Sequence, residues 1–426
     1  MRKLAVGLTL TALLVPSAAS AAVPKRKGGK VERAWPAKGK RDKPDGRLAQ
    51  FLARQVGPVT VPQRARAAQA TSVPGAKLDA SGRTRLYLVR SYDIPPNDPS
   101  ATRLANLSWT YDSAISAVAL ESTGDTSQAR QLLDQLAALQ RTDGSLDFAY
   151  DTSTGASVQL FRTGTIAWVG YAALLQKIST GTARYDTLIN GTARWLLARR
   201  QPSGLLAGGP DVTWASTQNN LVAYQFLALL ALTPVGGLTT TQLAAAANGI
   251  ASGIDGTLMV TPANGQLGFI QGTNDQLRPL DAQTLGISYL LSRGRYVEAL
   301  QVRAYIESAF KVTGRSIVKS SATSTYNQTY SAAGPFSGYR PYATGGPDVL
   351  WFEGSAQANF VTGLLGIPHV TEDKALAAFR NVTISRGEGP LQADRTVTNS
   401  TINEYHVWPA SAAAGWALIS TEGLPD

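Results

Sequence analysis

Two kinds of helical segment alternate from Ser108 onward, and this alternation limits the fold more than any other feature of the chain. Six stretches are nearly uncharged and apolar all round: 114–120, 166–175, 221–232, 282–291, 355–365 and 410–419. Five others, 127–140, 185–199, 240–254, 296–310 and 372–382, are amphipathic and charged. A helix that is apolar on every side belongs in an interior, and an amphipathic one covers it. Reference positions at or near the apolar starts are Asp112, Trp168, Asn219, Asp281, Glu353 and Trp408, separated by 56, 51, 62, 72 and 55 residues. One such unit cannot bury its apolar helix alone. The pattern therefore predicts an all-α (α/α)6 toroid, six helical hairpins forming inner and outer rings, with the sixth outer helix drawn from residues 47–57. An open α-solenoid is the rival, but its repeats are about 34–47 residues long and resemble one another more closely.

Charge divides the chain. The net charge is +11, yet residues 1–100 hold 19 Lys and Arg against 6 acids, and the other 326 residues hold 21 against 23. Basic character thus belongs to the N-terminal quarter or so and not to the body, which argues against a nucleic-acid surface on the domain. Arg2 and Lys3 precede an apolar run from Leu4 to about Val15, followed by Ala19-Ser20-Ala21. These are the parts of a secretory signal peptide, residues 1–22, cleaved near Ala21 or Ala22. Residues 23–83 read as a basic, Pro-rich, partly disordered tail, suited to an anionic envelope or simply solvated. The toroid is assigned to 84–426, opening with a strand over 84–92. No later segment offers about 20 uncharged apolar residues for a membrane span. The chain has no cysteine and only two histidines, His369 and His406. That removes disulfides, thiolate chemistry and the usual zinc ligand sets.

Polar and aromatic residues gather at the starts of the apolar helices. They include Trp109, Tyr111 and Asp112; Arg162 and Trp168; Trp214 with Gln218, Asn219 and Asn220; Asp281; Trp351 and Glu353; and Glu404, Tyr405, His406 and Trp408. In a closed ring all six starts face one end, which becomes a bowl. Asp147 and Asp151, in the loop after the first outer helix, fall on its rim. Such a bowl suits a sugar: aromatic faces stack on ring C–H groups, amides and carboxylates bond hydroxyls, and two carboxyls suffice for hydrolysis without metal or cofactor. Glu353 and Asp112 are the expected acid–base pair, with Asp281 as a substitute. Glu353 is the expected acid, because apolar neighbours raise a carboxyl pKa. Plainer roles stand beside these: Asp112 and Asp281 as helix caps, the tryptophans as core, and Glu404 with His406 as a helix-start network.

The strings TYDSAISAVALESTGDTSQARQLLDQLAALQRTDGSLDFAYD, TGTIAWVGYAALL, WASTQNNLVAYQFLALLAL, PLDAQTLGI, WFEGSAQANFVTGLLG and EYHVWPASAAAGWALISTEGL, in that order, resemble bacterial six-hairpin glycosidase-like proteins over about residues 105–424. The resemblance implies the same toroid and hydrolysis of a poly- or oligosaccharide at the ends of the inner helices. One departure stands out: Gln218-Asn219-Asn220 replaces the Glu-His-Asn string expected in similar sequences. Two further readings follow. One is a polysaccharide lyase using Tyr405, His406 and Arg162; the other is a non-catalytic glycan-binding protein on the same fold.

Overall fold

The computed structural model describes residues 43–58, 77–78, 84–233, 235–261, 265–318, 330–384, 387–398 and 404–425. The leader and most of the basic tail lie outside the described residues. Thirteen α-helices and nine short strands occur among those described. The inner helices are α3 (Thr110–Ser122), α5 (Thr163–Thr180), α7 (Thr217–Leu232), α9 (Leu280–Ser292), α11 (Phe352–Leu364) and α13 (Ser411–Glu422). Each packs on the next, and α13 packs back on α3, so the ring is closed and the fold is the (α/α)6 toroid.

The outer helices are α4 (Thr126–Leu139), α6 (Asp186–Leu197), α8 (Thr240–Gly253), α10 (Tyr296–Ala309) and α12 (Val370–Ile384). The sixth is α1 (Lys43–Gln55), which lays Leu48, Phe51 and Leu52 into the core against α13. The toroid therefore recruits a helix from within the stretch assigned to the tail. A short helix, α2 (Ala101–Leu104), completes the set. Local chemistry marks several boundaries. Thr239 and Gln242 form a reciprocal capping box at the start of α8, and Gly181, at φ 71°, ends α5 in the left-handed conformation that glycine adopts without strain.

The expected strand at 84–92 is only partly formed. β1 (Lys77–Leu78) pairs with β2 (Thr84–Arg85), and the ladder stops there. Beyond it, successive backbone N–H groups go to different elements: Leu86 to the Thr152 carbonyl, Tyr87 to Gln135, Val89 to Ser113, Arg90 to the Gln55 carbonyl and Ser91 to the Leu107 carbonyl. The alternation of buried leucines is real, but the segment is a strap across the ring and not a sheet strand. β3 (Leu107–Trp109), β4 (Ala149–Asp151) and β5 (Ser157–Val158) form a small antiparallel sheet; β6 (Met259–Val260) pairs with β7 (Gly268–Phe269). A longer hairpin, β8 (Lys311–Ile317) with β9 (Ala332–Tyr339), fills the 72-residue interval between Asp281 and Glu353. Single bridges then lace the segments around the helix starts, joining Tyr92 to Ala410, Leu391 to Pro409, Trp351 to Ala393 and Pro279 to Tyr342.

Candidate active site

The first turns of the inner helices carry buried polar residues, most of which hold the chain in place. Ser113 Oγ accepts the Val89 N–H at 3.2 Å, and Ser355 Oγ accepts the Tyr339 N–H at 2.9 Å. The Gln283 amide bonds both the N–H and the carbonyl of Phe269, at 2.8 and 2.7 Å. Asn220 does the same with Leu206, at 2.7 and 3.1 Å, and also donates to the Ser216 carbonyl. These four side chains sit at the fourth position of α3, α7, α9 and α11. Each satisfies backbone groups that burial would otherwise leave bare.

Three carboxyls at neighbouring positions have no such backbone to serve, apart from one local bond. Glu353 accepts a hydrogen bond from Tyr111 Oη at 2.7 Å, and Tyr111 Oη accepts one from Trp416 Nε1 at 2.8 Å. Gln357 Nε2 reaches the same Glu353 oxygen at 3.4 Å, while its carbonyl accepts from Thr284. Burial raises the Glu353 pKa to about 8, helped by Asp112 and Asp281 and opposed by the Tyr111 bond. Burial also raises Asp112 to about 7, against a bond from the Ser91 hydroxyl. Ser91 Oγ in turn accepts the Trp109 N–H at 2.8 Å, so its proton is directed to Asp112. Asp281 is raised to about 6 by burial and held down by the Ala282 N–H at 2.7 Å. The cap of α9 is Pro279, so Asp281, the second residue of the helix, bonds a first-turn N–H without being the cap.

Asp112 and Glu353 line one cavity of about 180 Å³, together with Tyr92, Trp109, Tyr111, Phe148, Gln392, Ala410 and Ala412. Aromatic side chains close the barrel beneath it. Trp168 lies edge-on to Tyr111 and to Trp416, both at 5.9 Å between ring centres, and Phe360 packs on Trp416. A larger recess of about 570 Å³ at the β8–β9 hairpin is lined by Lys311, Arg315, Arg340 and Arg395 and, among the described residues, by no acid or aromatic ring. Its cations already face Glu307, Glu372, Asp348 and Asp394, so the smaller cavity is the one equipped for chemistry.

The other residues singled out in the sequence divide. Tyr405 is buried beside the carboxyls: burial raises its phenol pKa, and Tyr342, Asp281, Glu353 and Tyr92 add to the rise. Trp351 meets Tyr405 edge-on at 6.3 Å. His406 stacks flat on Trp408 at 3.9 Å, with Glu404 3.4 Å from its Nε2. Burial drives His406 down to about 3, so the ring is neutral. Trp408 Nε1 donates to Asp98, and Tyr92 meets both rings edge-on, which makes this stack a wall behind the cavity.

A second group stands outside the cavity lining. Asp147 pairs with Arg141 at 2.8 Å, and Asp151 closes a turn through Ser153 and Thr154. Arg162 pairs with Asp211 at 2.9 Å. The Trp214 ring covers Gly272, where an added Cβ would lie 2.4 Å from it. Asn219 covers Gly164, where a Cβ would lie 2.1 Å from its amide oxygen. Gln218 is half-buried at the same helix start. Sequence reasoning missed Ser91, Tyr92, Phe148, Gln392 and Trp416. Gln392 accepts the His406 N–H at 2.8 Å and donates to Tyr92 Oη at 3.2 Å, yet it sits in a loop with no periodic signal. Among the described residues no group of three or more His, Asp or Glu side chains is placed to hold a metal ion. No described helix is long and apolar enough to cross a membrane.

No family model matches this chain, and no curated protein is similar to it in sequence. Solved structures are similar in fold. A wild-type glycosidase superposes with a TM-score of 0.60 at 13% identity, covering 91% of this chain and 100% of that one. An alpha-amylase from Clostridium perfringens gives 0.54 at 10% identity, covering 91% and 99%. A D-mannose isomerase gives 0.53 at 12% identity, covering 88% and 95%. The chain thus has the fold of the six-hairpin glycosidase-like proteins.

Proposed function

We propose that this protein is an exported glycoside hydrolase in which Glu353 is the general acid and Asp112 the general base. The observation that carries this reading is the pair of carboxyls facing one cavity, one at about 8 and the other at about 7. Between those values Glu353 is mostly protonated and Asp112 mostly ionised. That is the division of labour needed to protonate a leaving oxygen and activate water. Tyr111 holds the Glu353 carboxyl from one side. Trp109 and Phe148 offer aromatic faces to a sugar ring. The glycosidases of the same fold, one of them in complex with glucose, agree with this reading.

The lyase reading is less well supplied. It needs a base and an acid beside an acidic sugar, drawn from Tyr405, His406 and Arg162. Arg162 is paired with Asp211, neutral His406 lies flat on Trp408, and burial makes the Tyr405 phenol harder to ionise. The binding-protein reading draws on the amides Gln218-Asn219-Asn220 and on the basic tail; the amides fall outside the lining of the carboxyl cavity, and most of the tail lies outside the described residues. Export through the 1–22 leader and contact of the basic tail with an anionic envelope belong to the proposal. N-terminal sequencing of protein recovered outside the cytoplasm, starting near Ala22, tests the first.

The decisive test is reducing-end release from a polysaccharide panel, with ultraviolet absorbance read in the same wells. Wild type is compared with Asp112→Asn and Glu353→Gln. Reducing ends that vanish in both variants, without absorbance, are expected. Absorbance would move the chemistry to Tyr405 and a lyase. Glycan binding without turnover across the panel would leave a binding protein.

A further inference from the structure

Within the hydrolase reading, the geometry points to an exo-acting enzyme that takes one terminal, neutral sugar residue into a blind cavity and leaves the rest of the glycan outside. This inference rests on that reading and adds both the mode of attack and the charge class of the substrate.

Size is the first argument. Sites for drug-sized ligands run from roughly 300 to 1,000 Å³, whereas the cavity over Asp112 and Glu353 measures about 180 Å³. That is room for a single ring. A chain-cleaving enzyme needs several consecutive rings seated on both sides of its carboxyls. Closure is the second. The barrel beneath is plugged by buried Trp168, Trp416 and Phe360, so nothing threads through the toroid. The His406–Trp408 stack stands behind Tyr92, and Phe148 packs edge-on against Trp109 at 5.3 Å.

Charge is the third argument. Among the described residues no Lys, Arg or His lines the cavity, while two carboxyls do. A uronate or sulfated sugar would bring its charge against ionised Asp112 with no cation to offset it, in surroundings that screen poorly. Trp109, Phe148, Ala410 and Ala412 instead present apolar surface to the C–H faces of a neutral ring.

The test follows products and not only rate. Neutral gluco-, manno- and xylo-hexaoses, their parent polymers, and pectate as an anionic control are digested with wild-type protein. A monosaccharide as sole early product, with polymer viscosity unchanged and pectate untouched, is expected. Oligosaccharides of mixed length with falling viscosity would overturn exo action while leaving the hydrolase intact. Cleavage of pectate in preference to every neutral glycan would overturn the neutral assignment. Absence of hydrolysis on all of them would remove the hydrolase reading and this inference together. Binding supplies an independent readout, measured by titration calorimetry on Glu353→Gln. The monosaccharide and hexaose of the preferred sugar are expected to bind within about fivefold of each other, because each added ring in a cleft would add contacts and these lie outside. Affinity climbing steadily with chain length would overturn the one-ring cavity.

Discussion

The starts of α3 and α11 differ from the start of α7, although all three read alike in sequence. Each opens a nearly uncharged helix with a polar residue among aromatic neighbours. At α7 the buried amide of Asn220 closes on the N–H and carbonyl of Leu206, and its polarity is consumed by the fold. At α3 and α11 the fold is served by Ser113 and Ser355, one and two positions further on. Asp112 and Glu353 are left as carboxyls that burial holds above their ordinary range. A buried polar group that its surroundings satisfy is architecture; one whose charged form they penalise is a candidate for chemistry.

Substitution at the two kinds of site separates them, and the largest effect is expected at the acid. Glu353→Gln removes the proton donor and should lower kcat/KM by about 10³-fold. Asn220→Ala should leave the folded enzyme's kcat/KM within a few-fold, as measured by initial rates on the same substrate. A comparable loss in both would erase the distinction drawn here. The reverse holds for stability. Asn220→Ala strips partners from the Leu206 backbone and should destabilise by roughly 2–4 kcal/mol, read by denaturant unfolding.

The carboxyl variants should instead stabilise, and the sign depends on pH. Burial holds the folded Asp112 carboxyl up to about 7, above the ordinary 3.8, and Glu353 up to about 8 against 4.5. The folded state therefore holds these protons more tightly. The resulting stability is complete below about pH 4 and is lost as pH rises through the folded values. Asp112→Asn and Glu353→Gln should each raise Tm by roughly 3–6 °C at pH 8, with the gain shrinking toward pH 4 in thermal melts. A gain equal at both pH values would mean the carboxyls are not perturbed.

Smaller shifts sharpen the picture. Activity should be bell-shaped in pH, with limbs near the two folded values. Tyr111→Phe removes a bond that favours ionised Glu353, so the basic limb should move up by about 0.5–1 unit. Ser91→Ala removes the corresponding bond to Asp112 and should move the acidic limb up by about half a unit. Unmoved limbs would place both hydroxyls outside the titration.

The ring was legible because its two helix types differ in the one property that periodicity reports, the distribution of charge around the axis. Even α1 could be placed, from Leu48, Phe51 and Leu52. The β8–β9 hairpin was not legible: Gly314, Gly334, Pro335 and Gly338 interrupt its alternation, and the long interval hid it. Asp112 and Glu353 could be singled out because an acid beside an uncharged helix needs a reason. Asn220 could not be told from a ligand-binding amide, since nothing in its spacing reports whether the Leu206 backbone lies within reach. Ser91, Phe148 and Gln392 arrive from loops through bridges such as Tyr92–Ala410 and Leu391–Pro409. Those pairings are long in sequence and invisible to local pattern.

The seam where α1 meets α13 gives the ring a timing as well as a shape. Roughly 350 residues separate the two helices, and Phe51 fits over Gly389, where a Cβ would lie 2.4 Å from its ring. Synthesis proceeds from the N-terminus, so α1 meets the 86–90 strap and α3 early, while α13, against which it packs most, is made last. Until then α3 and α11 stand on an open arc, and the two carboxyls face water at ordinary acidity. The acidity of the site is thus a property of the finished circle: losing α13, which closes the inner ring on α3, would expose both carboxyls to water without touching Glu353.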